Sequence, residues 1–263
     1  AGPVLVLVPH FDDEVLGCGG SLIQLKDQSM VHFLYATDGG GSETNHIPGK
    51  KYELTRDIRE IRRAESMAAL KVMGFDAAQA TFMDIPDYEV TARADDIRRQ
   101  AGRIVADRGI KTIVAPFRYD RHPDHVGLNR IAMELVMDKP GQINLVEFFV
   151  YFLWRLLPGG DLRRWLRPEN LSVVDISAVS ELKRRALNCF TSQVTCCQTW
   201  QTKPVLNSEA IDLFCRGPEM FCVAGPAPDR RLFRLSPAWI RMCHSVEPWL
   251  KIRKEIIRQR MGM

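Results

Sequence analysis

Two short polar runs carry the residue types able to do chemistry: His10, Asp12, Asp13 and Glu14 in the first, and Asp120, His122, Asp124 and His125 in the second. Imidazole and carboxylate ligands suit zinc, and a catalytic zinc site takes three protein ligands while keeping a position open for water. His10, Asp13 and His125 would make that set, leaving Asp12, His122 and Asp124 uncoordinated beside it. Water acidified by the metal becomes a usable nucleophile near neutral pH, and a free carboxylate within reach can take its remaining proton. Asp12 is placed for that role. His122, if protonated and oriented by Asp124, would stabilise the oxyanion of a tetrahedral intermediate. Together these groups describe metal-assisted hydrolysis of an amide or ester. Two histidines and one carboxylate are also the ligand set of non-haem iron oxygenases.

The surrounding sequence must bring the two runs together. Val4-Leu5-Val6-Leu7-Val8 is apolar throughout and stops at Pro9, the pattern of a strand buried on both faces in a parallel sheet. Lys111 to Ala115 is a second such strand, and the two polar runs begin where these strands end. In open α/β sheets ligands sit beyond the carboxyl ends of the strands. The expected architecture is therefore a Rossmann-like, mostly parallel sheet with helices on both faces and the site at that edge. Further strands are expected at Val31–Ala36, Ala80–Met83, Asn144–Tyr151 and, as the final one, Ser172–Asp175. Helices are expected at Ser21–Lys26, 52–73, Ala92–Arg108, Val126–Met137 and Ser180–Cys189, with the glycine-rich Gly17-Cys18-Gly19-Gly20 as the entry to the first. The helix at Val126–Met137 leaves the second polar run, so His125 should stand at its first turn. Gly17-x-Gly19-Gly20 is not a dinucleotide fingerprint, and no acid ends strand two as a ribose hook would require, which argues against a nicotinamide cofactor.

The chain has 263 residues, 46% of them hydrophobic, enough for one large core. The whole length reads as a single domain, with 195–263 a loop-rich covering region. A formal charge of +4 is too diffuse to argue for nucleic acid. Seven cysteines are an odd number with no C-x-x-C pair, so reduced thiols and a cytoplasmic setting are expected over a disulfide framework. The segment from Glu43 to Lys51, which includes His46, reads as a lid or surface excursion.

Pro9-His10-Phe11-Asp12-Asp13-Glu14 with Gly17-x-Gly19-Gly20, followed by His122-Pro123-Asp124-His125, resembles the two signature motifs of the LmbE-like or PIG-L deacetylases. Arg62-Arg63-x-Glu65 before Leu70 to Gly74 is similar to that family's R-x-x-E helix. Asp175-Ile176-Ser177, Lys183 and Ser192-Gln193 resemble its later segment. The resemblance implies a metal-dependent enzyme that removes acetyl from N-acetylglucosamine groups. By it the zinc ligands fall on His10, Asp13 and His125, the general base on Asp12 and the oxyanion-stabilising histidine on His122, with Asp124 orienting that histidine. Arg63 or Arg62, and Asp87, match positions near the sugar hydroxyls. Ferrous iron can occupy such a ligand set as well as zinc.

Two departures bear on the substrate. Phe11 stands where the family usually has proline. The loop Thr37–Ser42 has glycines where relatives carry a glutamate, so Asp38 or Glu43 would have to meet whatever that acid contacts. The expected partner is a small-molecule or glycoconjugate N-acetyl sugar, or another amide-bearing amino sugar. At the C-terminus, Trp249, Leu250, Ile252, Ile256 and Ile257 alternate with Lys251, Arg253, Lys254, Arg258 and Arg260, the pattern of a basic amphipathic helix. It reads as a terminal helix docked on the core, with contact to a membrane surface as the alternative.

Overall fold

The computed structural model describes residues 2–42, 57–154, 162–197, 201–226 and 231–234, with positions 238, 242, 243, 245 and 246. The segment around His46 and the basic C-terminal stretch lie outside the described residues.

In chain order the elements are β1 (Val4–Val8), α1 (Asp13–Ile23), β2 (Val31–Thr37), α2 (Ile58–Met73), β3 (Ala80–Ile85), α3 (Ala94–Asp107), β4 (Thr112–Pro116), α4 (Pro123–Met137), β5 (Asn144–Phe148), α5 (Tyr151–Trp154), β6 (Leu171–Val174), α6 (Ser180–Leu187), α7 (Thr191–Val194), α8 (Ser208–Arg216) and β7 (Glu219–Cys222). The seven strands form one sheet in the order β3-β2-β1-β4-β5-β7-β6. β3, β2, β1, β4 and β5 run parallel, and β7 pairs antiparallel with both β5 and β6.

The alternation of side chains along a strand sorts β1 into two cores. Val4, Val6 and Val8 join Phe33 and Tyr35 of β2 and the apolar faces of α1, α2, α6 and α8. Leu5 and Leu7 join Leu34, Ile113 and the apolar positions of α3 and α4 on the other side. A strand covered on both faces has no use for polar side chains, which is why the run is uninterrupted. Between β1 and β4 the winding of the sheet reverses direction, so the crevice at their carboxyl ends is open to a ligand.

The structure departs from expectation at α1. The helix starts at Asp13, and the glycines lie inside it instead of before it. They are needed for close packing. A Cβ at Gly17 would collide with the Phe148 ring, and one at Gly20 would lie 2.7 Å from Ile176 Cγ2. An ion pair also grips the middle of this helix: Lys183 Nζ donates to Leu16 O at 3.0 Å and to Glu219 Oε1 at 2.7 Å. Glu219 in turn accepts the amides of Gly20 and Ser21, each at 2.7 Å. Tertiary packing thus overrides the low helix propensity of glycine.

Strand β5 ends at Phe148, and Tyr151 to Trp154 turn into a short helix. The last strand is β7, not the segment at 172–175; it inserts between β5 and β6 from a stretch expected to be loop-rich, which also supplies α8.

Candidate active site

Strand β1 delivers His10 and the turn to Asp13, while β4 leads through Arg118–Arg121 to α4, which carries His125 in its first turn. Because β1 and β4 are neighbours, residues 115 positions apart meet. His10 Nδ1 lies 3.2 Å from Asp13 Oδ2 and 3.2 Å from His125 Nε2, and His125 Nε2 lies 3.0 Å from Asp13 Oδ2. Donors about 2.0–2.2 Å from one tetrahedral ion lie about 3.4 Å apart, so this triangle has the size and donor chemistry of a zinc or ferrous ligand set.

The outer nitrogen of each ring has a carboxylate partner. His10 Nε2 lies 3.1 Å from Asp124 Oδ2, and His125 Nδ1 lies 2.8 Å from Asp120 Oδ2. Asp120 is fully buried and also accepts the amide of Phe152. Such outer partners fix the tautomer and aim the inner nitrogen. Burial opposes a charged ring at both histidines, yet Asp124 and Asp13 raise His10 to about 9, and Asp13 and Asp120 raise His125 to about 10. Burial alone would raise Asp13, but His125 and His10 hold it well below the usual carboxylate range. The centre is built to hold positive charge.

Asp12 is buried next to this triangle, in a left-handed backbone conformation with φ 109° that L-residues rarely adopt. Its amide donates to Glu14 Oε2 at 3.1 Å, and Glu14 Oε1 accepts Ser66 Oγ at 3.1 Å. From α2, Arg62 Nη2 donates to Phe11 O and lies 3.3 Å from Asp12 Oδ2. Burial pushes the Asp12 carboxyl up to about 7, with Arg62 pulling the other way, so it sits where a carboxylate can take and return a proton near neutrality.

Two expected contacts are arranged differently. Asp124 does not primarily orient His122: its Oδ2 lies 3.6 Å from His122 Nδ1 but 3.1 Å from His10, and it also accepts the Tyr88 amide at 2.7 Å. His122 caps α4, its Nδ1 accepting the Asp124 amide at 3.3 Å. An accepting Nδ1 leaves the hydrogen on Nε2. Burial, reinforced by His10 and His125, pushes His122 down to about 3, so the ring is neutral instead of protonated. One of its ring nitrogens still lies within 4.8 Å of those of His10 and His125.

Arg63 likewise is not among the residues that line the cavity. It lies 3.3 Å from Asp84 and 4.1 Å over the Phe82 ring, whereas its neighbour Arg62 is buried in the site. Asp87 lines the cavity, with its carboxylate engaged by the amides of Gly39 at 3.1 Å and Gly41 at 2.8 Å. It therefore holds the glycine loop after β2.

The cavity has a volume of about 580 Å³ and reaches from His10, Asp12, Asp13 and His122 past Tyr151 to Gln193 and Lys203. Gln193 had no role assigned from sequence. Glu65 of α2 holds its neighbours, accepting Thr191 Oγ1 at 2.6 Å and the Ser192 amide and hydroxyl at 2.8 and 2.6 Å. Gln193 Nε2 then donates to Ser192 Oγ at 2.9 Å and Ser42 Oγ at 3.2 Å. The pairing of Glu65 with Ser192-Gln193 was present in the sequence as two separate family-like segments and joins them in space.

The sequence profile described as PIG-L, GlcNAc-PI de-N-acetylase, matches residues 5–136, which contain both polar runs and α2. This chain belongs to the PIG-L family. A diacetylchitobiose deacetylase of Thermococcus kodakarensis is 26% identical over 207 residues, covering 72% of this chain and 69% of that protein. Among solved structures, the N,N'-diacetylchitobiose deacetylase of Pyrococcus horikoshii, complexed with its inhibitor, superposes with a TM-score of 0.60 at 20% identity, covering 84% of this chain and 83% of that one. GalB, the 4-carboxy-2-hydroxymuconate hydratase of Pseudomonas putida, superposes with a TM-score of 0.58 at 20% identity, covering 82% and 84%. The shared fold therefore carries more than one chemistry. Among the described residues no helix is long and apolar enough to cross a membrane.

Proposed function

We propose that this PIG-L family member is a metal-dependent N-deacetylase that releases acetate and a free amine from an N-acetylglucosamine-containing substrate. The observation that carries this reading is the triangle of His10 Nδ1, Asp13 Oδ2 and His125 Nε2, with the free carboxylate of Asp12 beside it.

His10, Asp13 and His125 would hold the ion, zinc or ferrous iron, and Asp124 and Asp120 keep the two imidazoles aimed. When bound, the ion supplies Lewis-acid polarisation and lowers the pKa of water. Asp12 accepts the proton of the attacking water and passes it to the departing amine. Arg62 and Glu14 keep Asp12 in its left-handed conformation, so the base is positioned before substrate arrives. His122 donates from Nε2 as a neutral imidazole to the oxygen that gains charge in the tetrahedral intermediate. Arg62, Asp87 and Gln193 would meet the sugar's hydroxyl groups, a reading supported by their lining the cavity. The named activities of the chitobiose deacetylases support an N-acetyl sugar as substrate. The chain acts as one catalytic domain in the cytoplasm, on a small-molecule or glycoconjugate sugar.

The test is acetate release from a panel of N-acetylglucosamine conjugates by chelated protein, before and after zinc or ferrous iron is restored. Metal-restored acetate is the expected result. Stoichiometric metal with no acetate from any conjugate would exclude the reading.

A further inference from the structure

Residues 86–89 form a tight turn, closed by the Glu89 amide donating to Pro86 O at 3.1 Å. Tyr88 occupies its third position with φ 72°, where glycine would sit without strain. The turn is fixed from both sides. Asp87 binds the glycine loop, and the Tyr88 amide donates to Asp124 Oδ2 at 2.7 Å, the same oxygen that holds His10. What this arrangement presents is an aromatic ring at the edge of the catalytic cavity, 63% exposed. The ring centroid lies 4.9 Å from that of His122, whose ring also stacks on Tyr151 at 5.5 Å.

We propose that Tyr88 is a specificity-determining binding residue, the platform on which the apolar C–H face of the substrate's sugar ring stacks while its acetamide group lies at the metal-binding triangle; this rests on the deacetylase reading above. A pyranose carries hydroxyls around its edge and C–H groups on its faces. An exposed aromatic face adjoining the donor His122 is the matching surface, because it covers the C–H face without asking for a hydrogen bond. A tyrosine held in a left-handed backbone conformation, with its ring beside His122 and still 63% exposed at the cavity mouth, stands where a bound ligand would cover it.

The test compares wild type, Tyr88→Phe and Tyr88→Asn, each zinc-loaded, using methyl glucosaminide for calorimetric Kd and its N-acetyl form for turnover. Asparagine tolerates the left-handed backbone, so it removes the ring while keeping the turn. Tyr88→Asn should raise both Kd and KM about tenfold, with kcat and bound metal unchanged. Tyr88→Phe should behave as wild type. Wild-type Kd in Tyr88→Asn would overturn the proposal, as would a fall in kcat or metal content with Kd unaltered, or a wild type that binds neither sugar. Sugar binding by a wild type that releases no acetate would instead remove the deacetylase reading, leaving the platform to be decided by the Kd values of the variants.

Discussion

Asp124 Oδ2 lies 3.1 Å from Nε2 of His10, on the far side of the ring from the nitrogen that faces Asp13 and His125. With Asp120 on His125, it gives each histidine of the triangle its own carboxylate. The site is therefore a pair of aimed imidazoles around one acid, with the Asp12 carboxylate held separately by Arg62 of α2 and the Asp12 amide by Glu14.

Outer carboxylates of this kind are worth about 10–100-fold in metal affinity. Asp120→Asn and Asp124→Asn should each weaken zinc binding by that factor in competition with a chromophoric chelator. An Asp124→Asn enzyme with wild-type metal affinity and lowered kcat would restore Asp124 to orienting His122.

Asp12→Asn keeps a side chain that tolerates the φ of 109° at this position, so the fold and the triangle should survive. Metal should bind stoichiometrically, and kcat should fall about 10³-fold for loss of the general base. Near-normal turnover would remove Asp12 from that role.

His122 is neutral, with its hydrogen on Nε2. Removal of one oxyanion donor costs about 10²–10³ in kcat. His122→Ala should show that loss with full metal content, and His122→Gln, which returns an N–H, should recover part of it. Metal loss in His122→Ala would place His122 among the ligands.

His32 gives a pH dependence remote from the site. Its Nε2 lies 2.9 Å from Thr81 Oγ1 in the sheet, and burial, aided by Arg108, pushes its pKa down to about 4 from an ordinary 6.5. A base with a depressed folded pKa is neutral in the fold and takes up its proton more readily when unfolded. Its contribution is complete above pH 6.5 and is lost as pH falls from 6.5 toward 4. Urea melts of wild type and His32→Gln across this range should diverge, with the wild type losing more stability on acidification. Parallel curves would refute the assignment.

Much of this was legible because the relevant signals are local. Five apolar residues before His10 announce a central strand, and the run from His122 to His125 announces a helix start with chemistry on it. What was not legible depends on contacts distant in sequence. The glycines of α1 read as a loop until Phe148 and Ile176 are seen against them. Asp124 is two residues from His122 and 114 from His10, so spacing suggests the wrong partner. Arg62 and Arg63 are adjacent, yet neighbours on a helix point about 100° apart, so only the packing of α2 shows that Arg62 enters the site. Strand β7 is four residues long and begins with a glutamate whose polarity makes sense only beside Lys183.

The proposed reaction is hydrolysis of an N-acetyl bond by water, on a fold that also serves a hydratase. The most direct measurement is mass analysis of the products formed by the zinc- or iron-loaded enzyme from an N-acetylglucosamine conjugate in ¹⁸O-labelled water. Hydrolysis at the acetyl carbon should yield acetate carrying one labelled oxygen and an equal amount of unlabelled free amine. Unlabelled acetate, or label appearing in the sugar with the acetyl group still attached, would contradict it.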